Sequence, residues 1–179
     1  MFKKASDSEI SMSQLMLPSH SNFSGKIHGG YILNLMDQVA FACASKHSGN
    51  YCVTASVNRV DFLHPIEVGD LVHLKASVNY TGKSSMVIGL RVEAEKVQTS
   101  QVAHCNSSYF TMVAKNELGH KATVPGLILS NEDQVRRFAR SMAQQAERKA
   151  RSKAFQSGHF KLKDHLSLLE NENVKLDLK

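Results

Sequence analysis

Between Tyr31 and Ala42 the sequence is apolar at Tyr31, Ile32, Leu33, Leu35, Met36, Val39, Ala40, Phe41 and Ala42, and the only charge in the run is Asp37. A stretch of that length, apolar on nearly every face, predicts a buried helix. Such a helix needs a partner that surrounds it. After Asn50 the hydrophobic period changes to two, the side-chain repeat of a strand. Val53, Ala55 and Val57 fall on one side of the pattern, and Thr54, Ser56 and Asn58 on the other. Alternation resumes in Leu71 to Tyr80, Ser85 to Lys96 and Val102 to Ala114. Turn residues separate these runs: His64-Pro65, Glu67 to Asp70, Thr81 to Ser84, and Lys115 to Gly119. One long helix followed by hairpin-linked strands predicts an α+β fold with an antiparallel sheet curled around the helix. The periodicity alone would also permit other α+β folds.

The segment leading into the helix carries the candidate chemistry. Ser8 to Leu17 reads as a short strand or extended arm, and Pro18 to Lys26 as a loop holding Asn22. The helix starts at Gly29 or Gly30 and runs to about His47, where Ser48, Gly49 and Asn50 end it. A glycine pair lets a ligand or another backbone approach the first turn closely. The free N–H groups there suit an anion or a developing oxyanion. A lone carboxylate on an apolar helix is costly unless it is paired or functional. Asn22, the N–H groups of Gly29 and Gly30, and Asp37 therefore form a set able to polarise a carbonyl and activate water. Each has a structural alternative: a turn asparagine, glycines that avoid a clash, and an acid paired with a neighbour.

With 179 residues and 42% hydrophobic content the chain makes one domain with a substantial core and room for an appendage. No stretch reaches the roughly 18 apolar residues of a membrane span. The start, MFKKASDSEISMSQ, has no apolar segment behind its lysines, so neither a secretory signal nor a transit peptide is expected, and a cytoplasmic protein is. Cys43, Cys52 and Cys105 have no CxxC spacing and are read as free buried thiols. Nine scattered histidines, without HExxH or a Cys/His cluster, give no reason to expect a metal. The net charge of +6 favours anionic partners, whether nucleic acid, membrane surface or phosphorylated ligand.

Residues 130–179 differ in character from 1–129, and the boundary is placed there. Ser130-Asn131-Glu132-Asp133 is an N-cap cluster with acids in the first turn, and Gln134 to Phe155 reads as a helix. Val135, Phe138, Met142 and Ala146 make a thin apolar stripe on it, and Arg136, Arg137, Arg140, Arg148, Lys149, Arg151 and Lys153 make it basic. Gln156 to Lys179 mixes leucines with charges, as a short amphipathic helix or a partly disordered tail would.

The spacing Pro18-x-x-x-Asn22-x-x-Gly25-x-Ile27-His28-Gly29-Gly30-x-x-Leu33-x-x-Met36-Asp37 resembles the hot-dog-fold acyl-CoA thioesterases, nearest the bacterial short- and medium-chain and the cytosolic long-chain acyl-CoA hydrolases. The stretch VTASVNRVDFLHPIEVGD and the closing strand Phe110 to Ala114 with Gly119 are similar as well, so the resemblance covers about Leu15 to Pro125. It implies hydrolysis of fatty acyl-CoA to free acid and coenzyme A. Asp37 would be general base or nucleophile, Asn22 would position water or the thioester, and Gly30 with Gly29 would contact the oxyanion. His28, Arg59, Lys83, Ser84 and Ser85 are candidates for substrate binding. For Arg59, pairing with Asp61 or Glu93 is the alternative. Coenzyme A, part of the substrate rather than a cofactor, would account for the positive charge. The resemblance further implies a homo-oligomer, a dimer with Asn22 and Asp37 from opposite subunits, and assembly of three dimers into a hexamer.

Three other functions fit parts of the sequence. A non-catalytic hot-dog sensor of acyl-CoA would leave Asp37 without a task. A hot-dog dehydratase of hydroxyacyl thioesters usually wants a histidine with the helix acid, whereas here Asn22 precedes the glycines. Nucleic-acid binding through residues 134–155 has no RNA motif or interleaved aromatics behind it, and neither nucleic acid nor membrane is expected as a partner.

Overall fold

The computed structural model describes residues 1–154, 161, 163, 166–169 and 173–175. It divides into two compact units, Met1–Ser141 and Met142–Lys179. The helix of the basic extension, α2 (Glu132–Ala154), therefore begins within the first unit. Its start is capped as the sequence predicts: Asn131 Oδ1 accepts from the Gln134 N–H at 2.9 Å. Most of the 156–179 tail lies outside the described residues; within it, Leu166–Leu169 forms a 3₁₀ turn.

Five strands make the main sheet: β2 (Ile10–Leu15), β3 (Tyr51–Val57), β4 (Asp70–Thr81), β5 (Ser85–Lys96) and β6 (Gln101–Lys115). Their order is β2-β4-β5-β6-β3, and every pairing is antiparallel. The hairpin expected at Thr81 to Ser84 joins β4 to β5, closed by the Gly82 N–H donating to the Ser85 carbonyl at 2.8 Å. Gly69 and Gly119 sit in their predicted turns at φ +92° and +76°, where other residues would be strained.

The central helix, α1 (Gly29–Ser48), packs on one face of this sheet. Ile32, Leu35, Met36, Val39, Ala40 and Cys43 meet Leu74, Met86, Ile88, Phe110 and Met112 in one core. Gly49 ends the helix in the left-handed conformation at φ +69°. The helix is not buried all round in the single chain. Asn34 and Gln38 are exposed, and Phe41 is 38% exposed and packs edge-on against the exposed Tyr51 at 5.5 Å. Apolarity on that side belongs to a surface, not to the sheet core.

Two further departures bear on function. The strand run that the sequence opens after Asn50 and closes at His64-Pro65 stops at Val57, and its register slips between Thr54 and Ser56. That bulge breaks the alternation beyond Thr54; Cys52 and Thr54, which precede it, share the helix side by regular strand alternation. A short parallel pair, β1 (Phe2–Lys4) with β7 (Gly126–Ile128), was not foreseen. It is fastened to the end of α1 by Lys3 Nζ donating to the His47 carbonyl and by a bond between His47 Nε2 and the Pro125 carbonyl at 3.0 Å.

The sheet face away from α1 is polar. His73 Nδ1 lies 2.8 Å from Ser13 Oγ and its Nε2 lies 2.9 Å from Glu95, which links β2, β4 and β5. Glu93 accepts from Lys75 and Arg91, each at 2.8 Å.

Candidate active site

Asp37 stands half-buried on the side of α1 that faces β3. Thr54 Oγ1 donates to Asp37 Oδ1 at 2.5 Å, and Met112 Sδ lies 3.3 Å from the same hydroxyl. Among the described residues Asp37 Oδ2 accepts no hydrogen bond. The carboxylate is thus oriented through one oxygen and open at the other, a geometry that suits proton transfer. Sequence reasoning missed Thr54. The signal available was the pairing of a strand hydroxyl with the one acid of the helix, but Thr54 reads as the polar side of β3, opposite Val53 and Ala55.

Asn22 folds the loop ahead of the helix. Its Oδ1 accepts from Ser24 N–H at 2.9 Å, Ser24 Oγ at 2.7 Å and Lys26 N–H at 3.2 Å. Its own N–H donates to the Lys26 carbonyl at 2.7 Å. Gly25, at φ +77°, completes the reversal. The turn role is therefore real, and it uses only the oxygen of the amide. Asn22 Nδ2 is without a partner among the described residues.

At the start of α1 the Gly30 N–H donates to His28 Nδ1 at 2.9 Å, so His28 is the N-cap. The His28 N–H in turn donates to the His20 carbonyl, and the His20 ring stacks on Tyr31 at 3.9 Å. Phe62 lies over Gly29: a Cβ there would meet its ring at 3.3 Å. The glycine pair thus serves packing at Gly29, while the Gly30 N–H already has an acceptor in front of it.

The remaining candidates are Arg59 and the β4–β5 hairpin. Arg59 is 86% exposed and pairs with Asp61 at 2.7 Å, while Glu93 is held by Lys75 and Arg91. Lys83, Ser84 and Ser85 form the β4–β5 hairpin. The Lys83 carbonyl accepts from Val124 N–H at 3.1 Å and the Ser84 carbonyl from Ala114 N–H at 2.9 Å. Val124 adjoins Pro125, whose carbonyl meets His47 in the last turn of α1. This hairpin therefore sits at the C-terminal end of α1, opposite His28, Gly29 and Gly30. One chain does not bring the two groups together.

Burial pushes the Cys43 thiol up to about 12, which leaves it inert as a nucleophile. Cys52 and Cys105 are likewise buried and unpaired to sulfur. Among the described residues no three His, Cys, Asp or Glu side chains group to hold a metal ion, and no helix is long and apolar enough to cross a membrane.

Comparison with known proteins identifies the framework. The Thioesterase superfamily profile matches residues 24–101, a span that contains both Asp37 and Thr54. The chain is 40% identical over 134 residues to protein VdlD of Helicobacter pylori, covering 75% of this chain and 76% of that one. A hexameric acyl-CoA thioesterase superposes with a TM-score of 0.83 at 32% identity, over 87% of this chain and 99% of that chain. The acyl-CoA hydrolase of Staphylococcus aureus in complex with butyryl coenzyme A, coenzyme A and coenzyme A disulfide gives 0.80 at 28% identity, over 94% and 99%. Structures of that hydrolase include alanine variants of an aspartate, a threonine and an asparagine. A helix laid on an antiparallel sheet, with an oriented carboxylate at its edge, is here the frame of an enzyme, and the chain belongs to the thioesterase superfamily as a hot-dog acyl-CoA thioesterase.

Proposed function

We propose that the enzyme hydrolyses fatty acyl-CoA to free fatty acid and coenzyme A with Asp37 as general base. The observation that carries this reading is the 2.5 Å hydrogen bond from Thr54 to Asp37 Oδ1, which leaves Oδ2 free to take a proton from water. The water oxygen adds to the thioester carbonyl as its proton passes to Asp37. The carbon–sulfur bond then breaks, and the thiolate of coenzyme A takes up the proton. A thioester is already an activated acyl group, so this set needs no nucleophilic triad. A general base contributes about 10²–10⁴-fold and an oxyanion donor about 3–4 kcal/mol.

Asn22 Nδ2 is the donor that holds the water or the thioester oxygen. Gly30 supplies the oxyanion contact. His28 Nδ1, on an exposed ring, marks the place in front of the Gly30 N–H where the substrate oxygen would sit. Spacing supports the set: the asparagine, aspartate and threonine replaced in the Staphylococcus aureus hydrolase are separated along its chain as Asn22, Asp37 and Thr54 are here.

The catalytic unit is a dimer, assembled into a hexamer. The uncovered side of α1, the exposed Phe41 and Tyr51, and the open edge of β3 give a second copy a surface beside Asp37. The relative solved as a hexamer supports the higher assembly. A partner's Asn22 and hairpin would then complete a site that one chain leaves divided. A reducing cytoplasm is the compartment that suits three free thiols.

Single turnover in ¹⁸O-water tests the role of Asp37. General-base catalysis puts the label in the fatty acid alone. Label in the Asp37 carboxylate would mean an anhydride intermediate and overturn the assignment.

A further inference from the structure

The face of the sheet away from α1 forms a cleft of about 640 Å³ beneath the first turns of α2. Lys75 and Arg91 line it from the strands, and Arg136, Arg137 and Arg140 from the helix, with Glu9 as the one carboxylate on the wall. The cations are only partly neutralised. Glu93 is shared between Lys75 and Arg91, and Asp133 between Arg136 and Arg137. Arg140 has no carboxylate partner among the described residues; its Nη1 makes one long bond, 3.4 Å, to the Tyr109 hydroxyl.

The floor is built for close approach. Gly89 lies under Asn79, and a Cβ at that glycine would come within 2.1 Å of Asn79 Nδ2. Asn79 is 6% exposed, and its Oδ1 accepts from Ser77 Oγ at 3.0 Å. Its Nδ2 makes no hydrogen bond among the described residues, so a neutral amide donor joins five cationic side chains around one space.

We propose that this cleft binds a small organic anion carrying two linked phosphate groups. Guanidinium forks match phosphate oxygens bidentately, and two carboxylates shared among four cations leave donors to spare. The volume is that of a site for a whole organic molecule rather than a bare ion. The diphosphate could belong to coenzyme A itself or to a separate phosphorylated ligand. The shared chemistry is the diphosphate, and inorganic pyrophosphate is its minimal probe. Binding of pyrophosphate does not depend on turnover, so it stands or falls separately from the hydrolytic mechanism.

The test is calorimetric titration of pyrophosphate into the full-length protein and into an Arg137→Gln, Arg140→Gln double variant, with melting curves to verify folding. Saturable binding that weakens about tenfold or more in the variant is expected. Arg140→Lys, which keeps charge but loses the fork, should fall between. Displacement of pyrophosphate by coenzyme A would identify the substrate's own diphosphate as the ligand, and independent binding of both would identify a separate one; either outcome upholds the site. Absence of saturable binding, or equal binding by a folded double variant, would overturn it.

Discussion

Thr54 Oγ1 and Asp37 Oδ1, 2.5 Å apart, join the edge strand of the sheet to the central helix. The contact exists because Thr54, two residues on from the buried Cys52 and paired with the buried Met112, lies on the helix side of β3. If that bond orients the base, Thr54→Ala should lower kcat by about 10- to 100-fold, as expected for a hydrogen bond to a charged group. Thr54→Ser should recover most of the rate. A change in KM alone would assign Thr54 to binding instead.

The amide of Asn22 divides into two jobs, and substitution can separate them. Asn22→Ala removes the acceptor that folds the loop and should cost about 1 kcal/mol of stability. Asn22→Asp keeps that acceptor, removes the Nδ2 donor and adds a negative charge. Its melting temperature should stay near wild type while turnover collapses. Full activity in the Asn22→Asp variant would mean that Asn22 acts only through the turn.

His28 caps α1 through the Gly30 N–H. His28→Ala should destabilise the protein by about 1 kcal/mol, as loss of an N-cap does. It should leave kcat within a few-fold, because the substrate oxygen takes the vacated place. A loss as large as that of Asp37→Asn would give the ring a direct chemical role.

Acid should weaken the fold in two steps. Burial holds His47 below its ordinary value of 6.5, so the unfolded chain binds a proton more readily. Stability is complete above 6.5 and falls as pH drops through that value. Hydrogen bonds from Lys75 and Arg91 pull Glu93 down to about 2 from an ordinary 4.5. Its contribution is present above 4.5 and disappears as pH falls towards 2. Denaturant midpoints across this range check both steps, and His47→Gln should flatten the upper one.

The long hairpins and the helix were legible because their signals are local. Alternation over β4 and β5, glycines at the turns and the apolar run of α1 each carry their own period. The spacing of Asn22, Asp37 and the glycine pair was legible through a resemblance, and their roles are proposals. Thr54 was not legible, since it alternates with the apolar Val53 and Ala55 and so reads as the polar side of the strand, although that side meets α1. The pairing of β1 with β7 was hidden too, because it joins three-residue strands from nearly opposite ends of the first unit. Nor does composition show which side of an apolar helix faces its own sheet. Phe41 reads as core and lies exposed beside Tyr51. The basic cleft was half visible, as a charged helix without the sheet residues that meet it.

The measurement that bears most directly on the mechanism is thiol release from acetyl- to palmitoyl-CoA by wild type and by Asp37→Asn. The substitution keeps size and hydrogen bonding at Thr54 but removes the base. Turnover by wild type, reduced about 10²–10⁴-fold in a variant that still folds and binds coenzyme A, is the predicted result. Turnover within a few-fold of wild type in that variant would contradict the role given to Asp37.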